Sequence, residues 1–93
     1  MMNEPSERLR LLMDAEKVSA PWLERETGID KYRWGNVKNG KAKMLVTEIQ
    51  ELSKVWPEYA YWLATGQELP EAGQISPMTK KAHELSKTAP RAG

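Results

Sequence analysis

The chain has no cysteine, no phenylalanine and a single histidine among its 93 residues. Without thiols it can form neither a disulfide nor a thiolate metal site, a composition compatible with a reducing compartment. His83 alone cannot assemble a metal cluster. No phosphate-binding glycine loop and no metal-ligand grouping stands beside it. No catalytic machinery and no cofactor are therefore expected, and the chain reads as a non-enzyme. No apolar run approaches the roughly 20 residues that cross a bilayer, and MMNEPSERLR carries no apolar signal core. A soluble, cytoplasmic protein without a membrane partner is the expectation.

An excess of charge of either sign is also lacking. Fourteen bases face thirteen acids, for a net charge of +1. The total says nothing about partners, but the distribution does. From Lys31 to Thr47 there are five bases (Lys31, Arg33, Lys38, Lys41, Lys43) and no acid; the rest of the chain has nine bases against thirteen acids, a net of −4. A local basic surface on an acidic body points to a directed electrostatic interaction. Four tryptophans and three tyrosines supply large core volume to a chain that buries proportionately little surface. Trp22, Trp34, Trp56 and Trp62 are expected in the core rather than on a stacking platform for single strands.

Spacing of apolar residues predicts a sequence of short helices. SERLRLLMDAE, residues 6–16, puts Leu9, Leu12 and Met13 on one face, with Ser6 as N-cap and Arg8, Arg10, Asp14 and Glu16 mostly on the other. SAPWLERET, residues 19–27, follows with Ser19 as cap, Pro21 in the first turn, Trp22 and Leu23 inward, and Gly28 as its stop. Ile29 reads as a buried connector. From Lys31 to Lys38 two readings compete. Asp30 caps a third helix that closes at Asn39-Gly40, or KYRW and VKNG pair as a hairpin turning at Gly35-Asn36. LVTEIQELSKVW, residues 45–56, is the clearest helix, with Leu45, Ile49, Leu52, Val55 and Trp56 inward and Glu48, Gln50, Glu51 and Lys54 toward solvent. EYAYWLA, residues 58–64, makes a fifth, with Tyr59, Trp62 and Leu63 inward and Gly66 as its stop. From Gln67 the composition turns to a linker and tail. There Ser76-Pro77 suits the start of a helix reaching Leu85, anchored only by Met78 and Leu85.

ERLRLL, then WLERETGI, DKYRWGNVKNGK, LVTEIQELSKVW and YWLATG together resemble the lambda-repressor-like (XRE/Cro-type) helix-turn-helix family over roughly residues 7–66. The pieces that carry the resemblance are Gly28-Ile29, Asn39-Gly40-Lys41 and Trp62-Leu63-Ala64-Thr65-Gly66. PEYAYWLATGQELP also looks like small phage and prophage regulators. The resemblance implies an all-α fold: a compact bundle of five short helices with a helix-turn-helix in residues 1–66, and a flexible or weakly helical tail in 67–93. It favours helix over hairpin at 31–38, with Trp34 and Val37 packed inward. It implies base-reading roles for Lys31, Tyr32, Arg33 and Asn36, and phosphate contacts for Lys38, Asn39, Lys41 and Lys43. Three positions depart from the family pattern. Glu24 stands where a small residue is usual, Ala20 where a polar one often meets phosphate, and Gly35 inside the third helix costs about 1 kcal/mol relative to alanine.

These readings converge on a sequence-specific double-stranded DNA-binding regulator, a phage- or prophage-type repressor that reads the major groove with its third helix. A homodimer is expected, because one short helix reads few base pairs; Tyr61 and the following segment, or the tail, are the candidate interface. The competing reading keeps the fold and turns the basic face toward an acidic protein, as an antitoxin-like or adaptor module. Individual side chains also have local alternatives: Tyr32 against Trp22, and Arg33 paired with Glu26.

Overall fold

Helix α1 spans Pro5–Glu16 and begins one residue before the predicted cap, because Pro5 is preorganised for the first helical position; Glu4 is the N-cap residue. Ser6 therefore lies inside the first turn. The computed structural model describes residues 4–88. Residues 1–3 of the expected domain and 89–93 of the expected tail lie outside that range. Helix α2 (Ala20–Thr27) starts as predicted, with the Ser19 hydroxyl accepting from the Trp22 amide at 3.3 Å. It stops at Gly28, whose φ of 77° is a left-handed conformation costly to a β-carbon-bearing residue. Helix α3 (Lys31–Lys38) forms in place of the hairpin, and α4 runs Val46–Val55. A single 3-10 turn at Pro57–Tyr59 leads into α5 (Ala60–Thr65). A second, at Pro70–Ala72, precedes α6 (Pro77–Thr88). No strand occurs among the described residues, and the expected all-α bundle is what forms.

Helices α1 to α5 close around Leu9, Leu12, Met13, Leu23, Trp34, Val37, Leu52, Trp56, Tyr59, Trp62 and Leu63. Three of the four tryptophans are buried; Trp22 is half-buried and stacks on Trp56 with ring centroids 5.5 Å apart. Ring pairs of this kind add to area burial and fix relative orientation. The replacements at Ala20 and Glu24 leave α2 packed on α3, for Leu23, Trp34 and Val37 are all fully buried. Ile29 is half-buried rather than buried.

Two charged residues break the predicted helix faces. Arg8, placed by periodicity on the polar side, is buried, and its Nε donates to the Leu63 carbonyl at 3.1 Å. Desolvation lowers its pKa. Glu48, expected at solvent, is buried, while Leu45, expected inward, is 53 % exposed. One cause covers both changes on α4. The Glu48 carboxylate turns in to accept from the Leu45 amide at 2.7 Å and from Arg33, so the first turn of α4 shows its aliphatic residues outward.

The predicted helix at Ser76-Pro77 forms, but polar contacts anchor it. Met78 and Leu85 remain 46 % and 59 % exposed. The Ser76 hydroxyl caps α6 by accepting from the Thr79 amide at 3.2 Å, and Glu68 accepts from the Ser76 amide at 2.7 Å. Lys80 pairs with Glu58 at 3.0 Å and Glu16 at 3.3 Å, over the ring of Tyr59. Before the helix, Ile75 and Gln74 hydrogen-bond back to Glu58, Pro57 and Tyr61.

Candidate nucleic-acid interface

The site is built on α3. Asp30 caps it with one carboxylate oxygen, which accepts from the amides of Tyr32 at 2.8 Å and Arg33 at 3.3 Å. Trp34 and Val37 bury the opposite face completely. Trp34 is further held through its indole Nε1, which donates to the Thr27 hydroxyl at 3.2 Å. Thr27 also donates to the Leu23 carbonyl and accepts from the Ile29 amide. That threonine carries the turn between α2 and α3. Its role is not legible in the sequence, because a threonine near a helix end has many ordinary uses.

With its inner face pinned, α3 presents Lys31, Tyr32 and Asn36 to solvent. Tyr32 is 71 % exposed, so it does not pack on Trp22. Lys31 Nζ lies 5.5 Å from the centre of its ring. The segment after α3 folds back along it. The amides of Lys41 and Ala42 both donate to the Asn36 carbonyl, at 2.8 and 3.2 Å, and Gly40 turns the chain with φ of 78°. Ala42 and Met44 pack against the core, which leaves Asn39, Lys41 and Lys43 exposed beside the helix; Lys38 is half-buried. All four base-reading candidates and all four phosphate candidates thus lie on one α3–loop unit, and three of the base-reading four are exposed.

Arg33 departs from the outward orientation read from the sequence. Its guanidinium turns back onto the protein, pairing with Glu48 through Nε and, at 3.1 Å, through Nη2. The same Nη2 donates to the Lys43 carbonyl. The partner is Glu48 rather than Glu26. Hydrogen bonding to Glu48 raises the Arg33 pKa, so the guanidinium stays charged. Locating this pair needs the fold, since α3 and α4 meet here across fifteen residues of sequence.

Chemically, the surface offers an amide that both donates and accepts (Asn36), a phenol (Tyr32) and ammonium groups free to neutralise anions. No acidic residue occurs between Lys31 and Thr47 to compete for them. No described helix is long and apolar enough to cross a membrane.

No protein-family profile matches the chain, and no curated protein matches it. Among solved structures the chain is similar to Pf6r from the filamentous phage Pf6 of Pseudomonas aeruginosa PA01. The two share 32 % sequence identity and a TM-score of 0.72, over 90 % of this chain and 98 % of the other.

Proposed function

The chain belongs to the same family as the phage protein Pf6r, and from that premise we propose that it is a phage-type regulator that binds double-stranded DNA. The observation that carries the reading is the α3–loop unit. A helix locked on its inner face holds Lys31, Tyr32 and Asn36 outward, with Lys41 and Lys43 folded beside it.

The major groove admits an α-helix, and its base edges present distinct donors and acceptors. Asn36 matches adenine, which offers one of each. Lys31 reaches guanine or phosphate, and Tyr32 a thymine methyl or a phosphate oxygen. Lys38, Asn39, Lys41 and Lys43 take the backbone, fixing register without reading sequence. The three lysines among these give a log–log salt slope of about −3 per protomer. One eight-residue helix spans few base pairs, so the protein acts as a homodimer on paired half-sites, as a repressor in the cytoplasm where its DNA lies. It binds rather than catalyses.

Selection of bound sequences from a random duplex pool tests this. Enriched, two-fold-related half-sites are expected, with Asn36→Ala relaxing preference at one base pair per half-site. Binding to no duplex at all, with capture of acidic proteins instead, would replace this reading with the adaptor one.

A further inference from the structure

Glu48 is the buried carboxylate among the described residues, 2 % exposed, and its partners Arg33 and Leu45 meet it at one junction. One oxygen accepts from the Leu45 amide at 2.7 Å and from Arg33 Nη2 at 3.1 Å; the other accepts from Arg33 Nε. Nη2 reaches on to the Lys43 carbonyl. The α3–α4 loop is therefore gripped at both ends by α3. Asn36 holds its start, through the amides of Lys41 and Ala42, and Arg33 holds its end, at Lys43 and, through Glu48, at Leu45. Lys41 and Lys43 are themselves gripped, one at each end, through their backbone.

We propose that Arg33 is a positioning residue rather than a base reader: with Glu48 it clasps the loop to α3, so that the loop cations meet the DNA backbone in fixed register with the helix that reads bases. This rests on the DNA-binding reading above.

The chemistry suits a guanidinium and no other side chain. Arginine has a planar fork that bonds a carboxylate through two nitrogens and keeps a further N–H for the Lys43 carbonyl, whereas lysine is a point charge. Burial gives the pair its grip, because a carboxylate withdrawn from water holds strongly to its one cation. A loop ordered before binding also loses less freedom on binding. The arginine most expected to face DNA is thus the one the fold consumes.

The test has two arms, both on the full chain. The first needs no DNA. Amide hydrogen exchange is measured for wild type, Arg33→Ala, Arg33→Lys and Glu48→Gln. Amides at 41–45 should exchange about tenfold faster in Arg33→Ala, and by a smaller factor in the other two, with core amides of α1 unchanged. Unchanged loop exchange in all three variants would refute the clasp. Should Arg33→Ala fail to fold, Arg33→Lys and Glu48→Gln carry this arm.

The second arm repeats duplex selection and affinity measurement. Arg33→Ala should weaken preferred and scrambled sites alike, by about tenfold, without changing preference at any base pair. Glu48→Gln, a change at a side chain too buried to touch DNA, should act in the same direction. The double variant should be no weaker than Arg33→Ala alone, as expected of residues acting as one unit. Relaxed preference at one base pair in Arg33→Ala, with Glu48→Gln unaffected, would make Arg33 a base reader and overturn the proposal. If the wild type binds no duplex, the regulator reading falls and the exchange arm alone decides the clasp.

Discussion

The indole Nε1 of Trp34 donates to the hydroxyl of Thr27 across 3.2 Å, joining the fully buried ring of α3 to the last residue of α2. The same hydroxyl bonds the Leu23 carbonyl and the Ile29 amide. One oxygen thereby ends α2, shapes the turn and aims α3.

Removing that oxygen at nearly constant shape isolates its contribution. Thr27→Val leaves the Trp34 indole N–H buried without a partner and should destabilise by about 1–3 kcal/mol. Thr27→Ser should restore most of the loss. Urea unfolding checks this: the midpoint should fall with unchanged slope. A midpoint for Thr27→Val equal to wild type would mean that the hydroxyl is dispensable.

Gly35 presents the opposite case, a residue whose replacement helps the free protein. Its φ is not positive, and an added β-carbon would meet no atom within 4 Å. Gly35→Ala should therefore stabilise by about 1 kcal/mol, raising the melting temperature by about 4–8 °C. The open space lies on the face of Lys31 and Tyr32, four and three residues earlier. Duplex affinity should accordingly fall, because the new methyl stands where the groove wall approaches. Lower stability, or affinity unchanged beside a higher melting temperature, would each refute half of this statement.

Lys41 should contribute charge and no sequence information. Titrations of Lys41→Ala against duplex DNA at several salt concentrations should give a log–log slope smaller by about one. The fold-loss in affinity should be the same for preferred and scrambled sequences. A loss confined to the preferred sequence would make Lys41 a base reader.

The seat of α6 should be acid-sensitive. Hydrogen bonds from Ser76 and Thr79 hold the Glu68 carboxyl below its ordinary value of 4.5. A folded-state pKa below the unfolded one stabilises at pH above the unfolded value, and that contribution is lost as pH falls through the folded value. The Ser76 amide chemical shift should titrate with a midpoint under 4.5, and Glu68→Gln should abolish the transition. A midpoint at or above 4.5 would contradict the assigned bonds.

Much of this was legible along the chain. Ser19 and Asp30 are caps because their short oxygens reach amides two or three residues on, and Gly28 is a stop because it tolerates positive φ; both are local facts. Trp34 and Val37 were placed inward by family likeness, and Tyr59, Trp62 and Leu63 by helical spacing; all five are buried. The two misplaced charges, Arg8 and Glu48, have partners distant in sequence. Periodicity puts a charged residue outside, but Arg8 has the Leu63 carbonyl fifty-five residues away, and Glu48 has Arg33 fifteen away. Leu45 followed Glu48, since turning the carboxylate in turned the aliphatic side chains out. At α6, the apolar anchors proved secondary to Lys80, whose acids come from α1 and the turn before α5.

By itself, then, the sequence determined the helices other than α3, most of the core and the acid-free basic stretch, because propensity, capping and apolar spacing act between near neighbours. Tertiary structure alone decided which bases of that stretch remain available. A guanidinium is claimed by the nearest buried carboxylate, and nearness between α3 and α4 exists only once the core has closed. Lys31, Lys41 and Lys43 were left at the surface, and Arg33, partly exposed, was paired with Glu48.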